Sequence, residues 1–108
     1  MTDRKQALVD LRDKVKTDET KHGHRWFDAF GPDIDLHALR AFNGSLDAAK
    51  ALHEAVLPGW WWRVTSPDPH YVQVGMPGIG VYSGRDETPA RAWLLAILEA
   101  LIAQEDET

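Results

Sequence analysis

The chain has 108 residues, 44% of them hydrophobic, with no cysteine and a net charge of −5. That length fits one domain, residues 1–108, with its own core, and the lack of cysteine excludes disulfides, thiolate zinc sites and cysteine nucleophiles. The acidity disfavours generic binding to phosphate backbones, and no apolar run reaches the ~20 residues that cross a bilayer. The N-terminal MTDRKQALVDLRDKVK is charged throughout. The reading is a cytoplasmic protein that partners no membrane and, by itself, no nucleic acid.

Leu8, Leu11 and Val15 recur at helical spacing among charged residues, which predicts a first amphipathic helix over residues 3–16. Its apolar stripe is narrow, so the helix is expected at the edge of the core. Residues 17–44 read as a loop-rich insertion. The segment TDETKHGHRWFDAFGPD holds no sustained period and carries Gly23, Gly31 and Pro32. One aromatic turn is expected around Trp26, Phe27 and Phe30, then a short helix over residues 35–41 closed by Asn43-Gly44.

Residues 45–104 form the core unit, a helix, a hairpin and a helix. Ser45 is placed to cap the next helix, with Asp47 in its first turn complementing the helix dipole. Leu46, Ala49, Leu52, Ala55 and Val56 give the expected buried stripe, and Pro58-Gly59 stops it. WWWRVTS and HYVQVG are rich in aromatic and β-branched residues and flank Pro67-Asp68-Pro69, which predicts an antiparallel hairpin. GMPGIG is a second turn, with residues 79–83 as a third strand. Thr88 and Pro89 then open the last helix. Ala90, Trp93, Leu94, Ile97, Leu98, Leu101 and Ile102 hold an i, i+3, i+4, i+7 pattern, so this helix is expected to be the central packing element. The predicted fold is α+β: a small antiparallel sheet of two to three strands, packed by the last two helices and partly covered by the first.

The segment GSLDAAKALHEAVLPGWWWRV, followed by a Thr-Pro-Ala step into ARAWLLAILEALIAQ, resembles small phage and prophage accessory proteins, especially of alphaproteobacteria, of the phage α-β-α sandwich type. The likeness runs from about Phe42 to Gln104. Residues 17–36 depart from the pattern as an insertion that carries His22 and His24. The resemblance implies a three-layer α-β-α arrangement and a phage or prophage gene of accessory role, without catalytic residues to carry over.

The candidate chemistry is sparse. His22, His24 and Asp28 are a common metal-ligand set, but loop spacing fixes no geometry, and the expectation is a solvated loop without metal or other cofactor. His53-Glu54 lacks the second histidine that a zinc-protease helix needs, since Leu57 stands there; His53 is expected on the helix surface. His37 and His70 are isolated. GMPGIG opens no helix at which backbone amides would meet a phosphate, so it reads as a hairpin turn. Ser45, Ser66 and Ser83 lie in no nucleophile elbow, and Asp86-Glu87 serve a helix N-terminus. The expectation is a protein that is not an enzyme.

The tryptophans stand out. Side chains alternate along a strand, so Trp60, Trp62 and Val64 share one face, and Trp61, Arg63 and Thr65 the other. Val72 and Val74 match the first face, which leaves Tyr71 and Gln73 beside Trp61 and Arg63. If the first helices cover that second face, Trp61 is ordinary core. If the face is open, Trp61, Arg63, Tyr71 and Gln73 form a partner surface built of residue types enriched in binding hot spots. The leading functional expectation is a non-enzymatic phage accessory factor that binds a host protein, as in inhibition of a host defence system such as CRISPR. The alternative is a small-ligand or nucleotide-sequestering protein using the aromatic face and the glycine-rich turn, with a metal enzyme on the histidine loop last. Homodimerisation stays open.

Overall fold

The computed structural model describes residues 3–17, 35–65 and 70–106. Four helices, α1 (Asp3–Thr17), α2 (Asp35–Phe42), α3 (Leu46–Val56) and α4 (Pro89–Asp106), accompany three strands, β1 (Trp61–Thr65), β2 (His70–Met76) and β3 (Gly80–Asp86). The strands form one antiparallel sheet in the order β1-β2-β3, so the fold is α+β. His22, His24, Asp28 and the aromatic turn at Trp26, Phe27 and Phe30 lie outside the described residues, as does Pro67-Asp68-Pro69.

Helix α4 is the centre of the molecule. Thr88 caps it, its Oγ1 accepting from the Arg91 amide at 3.2 Å, while the Thr88 amide donates to Asp86 Oδ1 at 3.2 Å. Every residue from Ala92 to Leu98 is buried. A helix apolar all round must be covered all round, and two groups of elements do so. The sheet lies against α4 through β3 and β2, while α1 and the α2–α3 pair pack on it as well. At Gly84 the approach is closest. A β-carbon there would stand 2.7 Å from the Ala96 amide nitrogen, so only glycine lets the helix lie that near β3.

Among the described residues the layers run sheet, α4, then the other helices. Among the described residues no helix lies over the second sheet face. Two expectations are corrected. Leu8, Leu11 and Val15 of α1 are wholly enclosed against α4 and not at the edge of the core. Arg12 adds a hydrogen-bonded ion pair to Glu99 of α4 at 3.1 Å.

The buried stripe of α3 is also turned from the expected one. Ala48, Ala49, Leu52 and His53 face inward, while Leu46 and Ala55 are exposed. The set Ala49, Leu52, His53 and Val56 keeps the i, i+3, i+4, i+7 period only if the histidine is counted as an inward residue. The caps are as expected: Ser45 Oγ accepts from the Ala48 amide at 3.1 Å, and Gly44, at φ +104, joins α2 to α3. Arg91 locks this joint to α4. Its Nε donates to the Phe42 carbonyl at 2.6 Å, and its guanidinium lies 4.1 Å from the Phe42 ring centroid.

Candidate functional site

The register of the sheet fixes which residues share a face. Trp61 pairs with Gly75, Arg63 with Gln73 and Thr65 with Tyr71. On the other side of β2, Gly75 pairs with Val81, Gln73 with Ser83 and Tyr71 with Arg85. These positions alternate with Val72, Val74 and Gly84, which face α4, so they make up the open face. Trp61, Arg63, Tyr71 and Gln73 are thus brought together on one surface, with Trp61 40% exposed and Arg63 exposed. Tyr71 and Gln73, on the central strand, are half-buried.

β3 extends this surface beyond the expected residues. It adds Val81, 54% exposed, together with Ser83 and Arg85. The Arg85 guanidinium lies 5.0 Å from the Tyr71 ring centroid, a cation–π contact. Strand alternation in VYSGR was the available signal, but it needed the β2–β3 register to place it. Among the described strand residues the face carries Arg63 and Arg85 and no carboxylate, on a chain with 17 acidic residues. Its local charge is opposite to that of the whole molecule.

The core-side face of β1 differs from expectation. Trp60 is buried and packs near Tyr82, with ring centroids 6.1 Å apart. Trp62, expected in the core beside it, is 40% exposed. α4 crosses β3 and β2, and β1 lies beyond that cover. Trp62 is held instead at its edges, 5.2 Å from the His53 ring and 5.4 Å from Trp93 between centroids. Lys50 Nζ stands 5.8 Å over it.

His53 is buried, at 1% exposure, and not on the helix surface. Trp93 Nε1–H donates to His53 Nδ1 at 3.2 Å, and His53 Nε2 is 3.0 Å from the Trp60 carbonyl. An indole nitrogen only donates and a carbonyl only accepts. The ring is therefore neutral, with its proton on Nε2, and it ties α3 to α4 and to the start of β1. Burial lowers its pKa below the ordinary histidine value, opposed in part by the Trp60 hydrogen bond and the Glu54 carboxylate. Both nitrogens are engaged, which gives this histidine a structural part and leaves neither for a ligand.

Beside these residues an open cleft of about 370 Å³ is lined by His53, Glu54, Leu57, Pro58, Gly59 and Trp60–Trp62. Pro77–Ile79, within GMPGIG, forms the hairpin turn between β2 and β3, closed by the Ile79 amide on the Met76 carbonyl at 3.0 Å. His37 and His70 are half-buried. Among the described residues no group of three or more histidine, cysteine, aspartate or glutamate side chains is placed to hold a metal, and no helix is long and apolar enough to cross a membrane. Comparison with family models, with curated proteins and with solved structures returned no match to this chain.

Proposed function

We propose that the chain is a non-enzymatic recognition module that binds a host protein through the open sheet face, as a phage or prophage accessory factor acting in the host cytoplasm. Antagonism of a host defence system is the role that suits such a factor. The observation that carries the reading is Trp61 on the uncovered side of the sheet, next to Arg63 and in one surface with Tyr71, Gln73 and Arg85. An exposed indole beside guanidiniums is costly for a soluble surface, and Trp, Tyr and Arg are the side chains from which partners gain most on burial. The acidity of the chain as a whole favours a protein partner over a nucleic acid.

The test is capture of a partner from host lysate by the tagged chain, repeated with Trp61→Ala and Arg63→Glu, each checked for an intact fold by circular dichroism. Each variant is expected to weaken binding at least about tenfold, or ~1.4 kcal/mol. Unchanged binding by both folded variants overturns the reading. A second reading, a small-ligand binder, draws on the cleft at Trp60–Trp62. It predicts a raised melting temperature with a small molecule such as a nucleotide, and no dependence on Arg63.

A further inference from the structure

We propose that the free edge of β1 takes an extended segment of a protein partner as a fourth strand, with an uncharged side chain seated in the cleft and acidic side chains against Arg63. This rests on the open face being a recognition surface and names how the partner docks there.

β1 is an outer strand, and every one of its residues is exposed. Its two faces carry Trp61 and Thr65 on one side and Trp62 and Val64 on the other. Exposed edges recruit further strands, and proteins usually blunt them with proline, bulges or charged side chains. β1 contains no proline and no bulge, and Arg63 is its one charge. Its pairing with β2 runs without a break from Trp61 to Thr65, and its residues are aromatic or β-branched apart from Arg63. α4 packs on the inner face of β3, closest at Gly84, and the cleft able to seat a guest side chain lies at the β1 side of the sheet instead.

The cleft lies at the start of β1. Strand addition gains affinity from main-chain hydrogen bonds and specificity from pockets that take alternate side chains. Leu57, Pro58 and the tryptophans make the cleft largely apolar, and Glu54 on its wall opposes an acidic guest. The anchor there is uncharged. Further along, the Arg63 side chain makes no ion pair or hydrogen bond among the described residues, and Lys50 stands over Trp62 on the opposite face. Each face of β1 thus has a cation for an acidic side chain of the incoming strand.

A second copy of the chain fits less well. Antiparallel pairing of β1 with itself about its centre sets Arg63 opposite Arg63, and like charges directly opposed destabilise a strand pair.

The probe is a set of short capped peptides alternating valine with glutamate and carrying one leucine, with lysine replacing glutamate in a control set. Binding is followed by tryptophan fluorescence, and amide exchange of the wild-type protein by NMR. The glutamate peptides are expected to bind at least tenfold tighter than the lysine set. They should also slow exchange at least tenfold at those β1 amides that face away from β2. Methylating the peptide nitrogens of one alternation phase should weaken binding tenfold, and methylating the other phase should not. Equal affinity for the lysine set, unaltered β1 exchange, equal tolerance of both methylation phases, or no binding at about 1 mM peptide each overturns strand addition.

The underlying reading is tested separately. If Trp61→Ala and Arg63→Glu abolish partner capture while β1 exchange is unmoved in the complex, the face remains the interface and strand addition falls. If neither variant affects capture, both fall.

Discussion

The indole of Trp61 lies over Gly75 on the neighbouring strand, so that a β-carbon at residue 75 would stand 2.6 Å from its Cε2. The two residues are direct partners in the β1–β2 register. Glycine leaves a strand without side-chain packing at its position, and an aromatic ring from across the pair supplies it. Trp61 therefore has a structural contact as well as an exposed side, and the glycine sets its orientation.

Gly75 is not among the glycines with positive φ, so alanine suits its backbone and the substitution acts through the ring alone. Gly75→Ala is expected to lift Trp61 from the sheet and shift tryptophan emission to the red. Stability should fall by about 1 kcal/mol, the scale of one cross-strand pair. An unchanged spectrum would mean that the ring adapts without leaving its place.

Leu98 is fully enclosed in α4, in the layer between the sheet and the other helices. Leu98→Ala removes a side chain where the surroundings meet on every side, so a cavity remains, and roughly 2–5 kcal/mol is expected to be lost. Urea denaturation measures it. A melting temperature within about a degree of wild type is the result that would remove α4 from the centre of the fold.

His53 gives the pH dependence. The unfolded chain takes up a proton there near pH 6.5, whereas burial holds the folded ring neutral to lower pH. Between those limits the unfolded state binds more protons, so stability falls as pH falls below ~6.5 and is fully present above it. Protonation also removes the acceptor for Trp93 Nε1–H. His53→Gln should flatten the slope of unfolding free energy between about pH 6.5 and 5, measured by urea denaturation at each pH. An equal slope in the variant would assign the dependence to other groups.

How far the sequence carries differs between fold and site. Strand alternation placed Trp61, Arg63, Tyr71 and Gln73 on one face because period two needs no tertiary information. The Thr88–Pro89 start and apolar run of α4 were legible for the same local reason. The burial of His53 was not. A histidine between Leu52 and Glu54 scores as polar until Trp93 and the Trp60 carbonyl, distant or newly turned in the chain, arrive to satisfy its nitrogens. Nor was the exposure of Trp62 legible. It depends on where α4 crosses the sheet, and that crossing is set by the close approach at Gly84, a residue with no side chain to announce it.

Trp61 and Trp62 are equally exposed, at 40% each, yet they sit on opposite faces and should differ in what their loss costs. Trp62 packs edge-on to His53 and beside Trp93, two aromatic contacts worth about 0.5–1.5 kcal/mol apiece beyond their buried area. Trp61 has Gly75 beneath it and an uncovered side above. Trp62→Ala is therefore expected to cost about 2 kcal/mol, and Trp61→Ala about 1 kcal/mol or less. Urea midpoints with an unchanged m-value measure the difference, since altered compactness would show in the slope. A small loss would leave the exposed indole without a folding role to account for it, as recognition at Trp61 requires. Equal losses for the two variants, or unfolding on loss of Trp61, would make Trp61 a packing residue and remove the main support for an interface on the open face.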